Sequence, residues 1–199
     1  IYGELGRYPL FIESVARCIR YWFGLLKEDN RKYSKMAYLS LFHMHERGHE
    51  NWVSYVKTLL CECGFGLVWL FGGVVNEKQF ICDLKERLMS NFSQRWVNHL
   101  TESTRFELYQ SFKSVIGQEP YLDIIKVSMY RVALTRFRLG VSPFHAHRYR
   151  YAQQEDRKMC PFCLDCIEDE EHVLFHCNKH AHIRKRYLVV ANHTDLRTY

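Results

Sequence analysis

The sequence predicts a mainly α protein in which a helical domain of five or six helices is followed by a small cysteine-rich module. Three observations carry that reading. Apolar residues recur at helical spacing through most of the first 140 positions. Four of the eight cysteines crowd into CPFCLDCIEDEEHVLFHC (160–177). Between these parts, Gly140 and Pro143 end a helix and open a polar tract.

The elements follow in order. Pro9 suits the first turn of a helix, and the stripe Phe11, Val15, Cys18, Ile19, Trp22 and Leu26 carries it to about Leu26. The polar turn LKEDNRK (26–32) leads to a second helix, Lys32 to Glu46, ended near Gly48. A third starts near Asn51, buries Trp52, Val53, Val56, Leu59 and Leu60, and stops at Gly64. FGLVWLFGGVV (65–75) reads as a short strand, a buried turn or a hydrophobic loop, and it is too short and glycine-rich to span a bilayer. The clearest helix comes next: Phe80, Leu84, Leu88, Phe92, Trp96 and Leu100 recur every four residues with charges between them. A shorter helix at about Arg105 to Lys113, the loop GQEP (117–120) and a helix from about Ile124 to Leu139 complete the body. The stretch 143–159 reads as a basic, extended linker.

At 199 residues, 47% hydrophobic and 25% charged, the chain has the balance of a globular protein. Its net charge of +6 favours polyanionic partners. The excess is uneven: Arg131, Arg136, Arg138, Arg148, Arg150, Arg157 and Lys158 face only Glu155 and Asp156, and Lys179, Arg184, Lys185 and Arg186 form a second cluster. The cysteines are too few for a small disulfide scaffold, and their clustering points to metal ligation in a reducing compartment. There is no secretory signal. With Ile at position 1, the chain reads as a piece of something longer.

Six side chains in 160–177 have metal-binding chemistry: Cys160, Cys163, Cys166, His172, His176 and Cys177. A closed zinc site needs four. Cys160 and Cys163 form a C-x2-C turn. Cys160, Cys163, His172 and Cys177 then give C-x2-C-x8-H-x4-C, whose spacer is much shorter than the ~12 residues of a ββα finger. A C2H2 set with His176 competes, because His172 and His176 are four apart, and Cys166 is a looser substitute for an early thiol. The run Glu168-Asp169-Glu170-Glu171 suits a helix N-terminus, where carboxylates meet the dipole. Its polarity argues against a plain apolar core of unliganded cysteines. Being consecutive, the four acids diverge, which argues against a hydrolytic metal site.

The basic residues Arg136, Arg138, Arg148 and Arg150 flank Phe144, Tyr149 and Tyr151, with Lys158, Arg184, Lys185 and Arg186 beyond. Arginines pair with phosphates and aromatic rings stack on unpaired bases, so these residues, with Tyr149, are the expected nucleic-acid contacts. A solvated basic face is the plainer alternative. Other groupings are weaker. Cys61-Glu62-Cys63 reads as core packing, and His43, His45 and His49 read as an exposed polar cluster. Neither GFG nor FGG is followed by the Gly-Lys-Ser/Thr of a phosphate loop. No nucleophile arrangement stands out.

Several phrases carry a resemblance. IYGELGRYPL (1–10), NWVSYVK (51–57), GFGLVW (64–69), YLDI (121–124), RFRLGVSPFHAHRYRY (136–151) and CPFC…EDEEHVLFHC occur in an order that resembles the C-terminal region of LINE-type non-LTR retrotransposon reverse transcriptases of animals. The resemblance runs along nearly the whole chain, and HRYRY followed by the CCHC spacing is its most specific part. It implies a post-polymerase region: a helical connector domain of five or six helices (1–142), the basic linker (143–159), a CCHC zinc-knuckle module (160–190) and a tail (191–199). The polymerase's Tyr-x-Asp-Asp tetrad is absent. The family's apurinic-type endonuclease lies upstream, and the 22 residues after Cys177 are too few for a downstream one. The resemblance therefore implies a non-catalytic region whose structural Zn2+ sits on Cys160, Cys163, His172 and Cys177. Its partners would be RNA or DNA and the upstream polymerase domain of the same parent chain, with no membrane or small-molecule substrate, in the nucleus or cytoplasm. A rival expectation is a protein-interaction module that docks on the polymerase body, with zinc purely structural.

Overall fold

The computed structural model describes residues 2–187 except 152 and 154; the expected tail and the last three residues of the expected module lie outside them. Among the described residues the chain is mainly helical, with two isolated antiparallel bridges in place of strands. No described helix is long and apolar enough to cross a membrane. The chain forms two compact units, Tyr8–Arg95 and Ile1–Arg7 together with Trp96–Tyr199. The expected break after residue 142 is not where these units divide: the cysteine-rich segment shares a unit with the chain from Trp96 onward.

The first unit holds α2 (Phe11–Lys27), α3 (Tyr33–Glu46), α4 (Trp52–Glu62), α5 (Gly66–Leu70) and most of α6 (Glu77–Glu102), while α1 (Tyr2–Leu5) belongs to the other. Its core joins Ile12, Val15, Ala16, Ile19, Trp22 and Phe23 of α2 to Val53, Val56 and Leu60 of α4 and to Phe80, Leu84 and Leu88 of α6. The buried face of α2 is turned slightly from the expected one: Phe11 is exposed, while Ile12, Ala16 and Phe23 are covered. Positions 12, 15, 16, 19, 22 and 23 make the wide apolar stripe that a globular core selects.

FGLVWLFGGVV resolves as the one-turn helix α5, whose Trp69 ring stacks on Trp22 at 5.6 Å between centroids. The Trp22 indole Nε1–H donates to the Tyr38 hydroxyl (3.3 Å). Asn51 caps α4 by accepting from the Val53 N–H (2.8 Å), and Ser54 returns the bond by accepting from the Asn51 N–H (3.2 Å). Buried Lys35 donates to the carbonyls of Leu25 and Leu26 (2.8 and 3.0 Å) and so closes the C-terminal end of α2, where a cation is favoured.

The second unit contains α7 (Glu107–Phe112), α8 (Tyr121–Ile124), α9 (Ser128–Arg138), α10 (His145–Arg148) and α11 (Ala181–Tyr187). Its N-terminal strap is fixed by backbone pairing: Leu5 bridges Gln118, and the Glu119 N–H donates to the Glu4 carbonyl (2.9 Å). Gly6 is obligatory there, because its φ is +61° and a Cβ would fall 2.4 Å from the Gln118 nitrogen. Beneath the strap lies a buried polar network. Glu4, only 2% exposed, accepts from the Tyr121 hydroxyl (2.5 Å) and pairs with Arg138 (3.3 Å). Glu119 pairs with Arg138 (2.9 Å) and with Lys113. Burial and the hydrogen bond to Glu4 push the Tyr121 hydroxyl up to about 12. The helix expected from Ile124 to Leu139 starts instead at Ser128 as α9, and the separate one-turn α8 precedes it, with extended backbone at Ile125 and Val127 between them; β-branched residues in IIKV resist the helix there.

Candidate metal centre

The Cys160–Cys163 turn is closed locally. The Leu164 N–H donates to the Cys160 carbonyl (2.9 Å) and the Cys160 N–H to the Cys166 carbonyl (2.8 Å). Met159 and Ile167 form a bridge behind the turn. Leu164 adopts φ +65°, the one described non-glycine residue with positive φ. On the returning side, Asp169 caps the next turn by accepting from the His172 N–H (2.8 Å). That turn, His172–His176, is wide: the Cys177 N–H reaches back five residues to the His172 carbonyl (2.7 Å). The acidic run thus starts a helical turn, and the turn delivers His172 and Cys177 to one place.

Cys160, Cys163, His172 and Cys177 offer ligand atoms that all lie within 4.8 Å of one another, the one such cluster among the described residues. The Cys177 sulfur is 3.9 Å from that of Cys160 and 3.8 Å from that of Cys163. These separations exclude disulfides, which need about 2.05 Å. They match the ~3.8 Å edge of a tetrahedron built on metal–sulfur bonds of ~2.3 Å. His172 is buried and its Nε2 has no hydrogen-bond partner, a costly state that a ligand relieves. Cys160 and Cys177 are fully buried. For the Cys177 thiol, burial raises the pKa, but N–H groups of Lys179 and His180 and the neighbouring thiols outweigh it, and the net direction is down. The Asn178 N–H favours the thiolate at Cys163, yet burial and the thiols of Cys177 and Cys160 carry that group upward. These four residues could hold a metal ion. Of the two alternatives in the sequence, Cys166 is exposed and only its carbonyl serves the turn, while exposed His176 lies near Glu171 (3.8 Å).

The segment expected to be an extended linker instead carries the short helix α10 and a 3-10 turn at Glu155–Lys158. Acids of the cysteine-rich segment hold it. Buried Glu168 accepts from the His145 N–H (2.8 Å), and its own carbonyl accepts from the Ala146 N–H (3.1 Å). Buried Glu170 accepts from His147 Nε2–H (2.6 Å), while His147 Nδ1 accepts from Arg150 (2.8 Å). The consecutive acids diverge as expected, but alternate ones turn inward. Sequence reasoning passed over this H-x-H to E-x-E register, in which His145 pairs with Glu168 and His147 with Glu170 at one constant offset.

The basic residues do not share one state. Arg138 is a correction: its guanidinium is spent on Glu4 and Glu119 and lies over the rings of Phe112 and Tyr121 (5.3 and 5.5 Å), inside the unit rather than on its surface. Arg150 is tied to the Gly140 carbonyl (3.1 Å) and to His147. Arg184 donates to the Val173 carbonyl (3.3 Å). Arg136, Arg148, Lys185 and Arg186 are exposed; Arg148 lies over Tyr149 (5.7 Å) and Arg186 over Tyr187 (5.2 Å). Lys158 and Tyr149 are half-buried. In the other unit, Cys63 is buried but Cys61 is exposed, while His43 pairs with Glu46 (3.2 Å) and His45 with Ser54 (2.8 Å). Neither protein-family models, nor curated proteins, nor solved structures match this chain.

Proposed function

We propose that this chain is a non-catalytic nucleic-acid-binding region of a retroelement reverse transcriptase, in which a structural zinc fixes a basic surface against RNA or DNA. The observation that carries the reading is the register between the metal-binding segment and the basic one: Glu168 and Glu170 fasten His145 and His147, whose neighbours are Arg148 and Arg150. Three thiolates and one imidazole, closed and mostly buried, suit structural zinc better than a catalytic ion, which keeps an open position. The ion would hold Cys160, Cys163, His172 and Cys177 together and supply no reaction. With Arg138 turned inward, the proposed contacts are Arg136, Arg148, Tyr149, Lys185 and Arg186, with Arg150, Lys158 and Arg184 at their edges.

The zinc-loaded chain should bind single-stranded RNA or DNA with an affinity that falls steeply with salt, because neutralised phosphates release counterions. Changing Arg136, Lys185 and Arg186 together to Glu should flatten that salt dependence. An affinity already flat between low and physiological salt would overturn the reading. A docking role on a polymerase body has one observation in its favour: Leu67, Leu70, Phe71 and Val75 are strongly exposed in the other unit. An absence of oligonucleotide binding would favour it.

A further inference from the structure

One cavity is not accounted for by a diffuse basic face. Its lining includes Arg105, Gly140, His147, Arg148, Arg150 and Tyr151, and it encloses about 420 Å³. Among the described residues no carboxylate lines it, and three arginines border it. Arg105 comes from a distant part of the sequence, just before α7, and is exposed. Arg150 is held in place by the Gly140 carbonyl and by His147, which Glu170 orients in turn. Gly140 has φ +58°, and a Cβ there would sit 3.6 Å from His147 and 3.9 Å from the Arg150 guanidinium. Tyr151, 88% exposed, stands at the rim.

We infer that this cavity seats one nucleotide unit of a bound single strand, its phosphate among Arg105, Arg148 and Arg150 and its base against Tyr151. The size fits: cavities above roughly 300 Å³ take a ligand of several ring atoms rather than a lone anion. The chemistry fits as well, since guanidinium forks match phosphate oxygens and an exposed ring offers a stacking face to any base. The inference rests on the nucleic-acid reading and adds to it a specific seat and a residue, Arg105, outside the basic block.

The experiment uses the full zinc-loaded chain, a fluorescent single-stranded RNA oligonucleotide, and AMP, adenosine and inorganic phosphate as competitors. AMP should displace the oligonucleotide, adenosine should not, and inorganic phosphate should do so only at much higher concentration. Arg105→Ala should weaken oligonucleotide binding roughly tenfold and lower the salt slope by about one. Zinc content and the circular dichroism spectrum should not change, because Arg105 is exposed. Equal binding by wild type and Arg105→Ala, or AMP competing no better than inorganic phosphate, overturns the seat and leaves the general reading standing. No oligonucleotide binding by the wild type removes that reading, and this inference with it.

Discussion

Leu164 shows how tightly the C-x2-C turn constrains single residues. Its φ of +65° is left-handed, where a side chain costs about 1–2 kcal/mol, and it is largely exposed, so no apolar burial offsets that cost. Leu164→Gly should relieve the strain at a smaller cost in chain entropy, tightening metal retention by about 0.5–1 kcal/mol in a chelator competition. Leu164→Val should loosen it; the reverse order would show that the turn does not need this backbone. The ligands themselves make a second contrast. Cys160→Ser should abolish stoichiometric metal by atomic absorption and Cys166→Ser should leave it intact, since only the Cys160 sulfur belongs to the cluster. Spacing alone names six donors, and the choice among them is set by the cap from Asp169 and the wide turn that follows it. Those features depend on backbone hydrogen bonds that ligand spacing does not encode.

At the level of elements, Lys35 links two helices through one ammonium group. Replacing it by Met keeps the side-chain bulk but leaves the Leu25 and Leu26 carbonyls without their buried donor. The expected loss is about 1–3 kcal/mol, read as a lower urea midpoint with an unchanged slope. A loss within a few tenths of a kcal/mol would mean that water replaces the ammonium. Most helices here were legible because one apolar face each is buried: α3, α4 and α6 lie close to their expected bounds. Two features were not legible. The face of α2 is decided by which neighbours cover Ile12, Ala16 and Phe23, a tertiary matter. FGLVWLFGGVV is too short for periodicity to distinguish a helix from a strand, and the stacking of Trp69 on Trp22 is what settles it. The candidate site shows the same division: its six candidate donors follow from residue type and spacing, whereas the inward turn of Glu168, Glu170 and Arg138 requires partners 19 to 134 positions away.

Across the whole molecule, stability has two different sources. The unit Tyr8–Arg95 has an extensive apolar core, with Trp22, Phe23, Ile19, Leu60 and Leu84 all buried. The other unit buries a polar network and a cluster of thiols, with few large apolar residues, Leu100 and Tyr109 among them. A fold of that second kind would lean on a metal held at Cys160, Cys163, His172 and Cys177, because metal-binding free energy becomes folding free energy when the ligands converge only in the folded state. Removing the metal with a chelator at neutral pH should therefore act on one unit. The thermal transition of the unit bearing Cys160 and Cys177 should fall or vanish. Hydrogen-exchange protection should be lost across α10, whose anchors Glu168 and Glu170 flank the ligand loop, while the helices of Tyr8–Arg95 keep theirs. Oligonucleotide binding should be lost at the same time, although none of the proposed arginine contacts is a ligand. A single transition shifting as one, with protection lost evenly along the chain, would mean that the two units fold as one body and that the metal stabilises both.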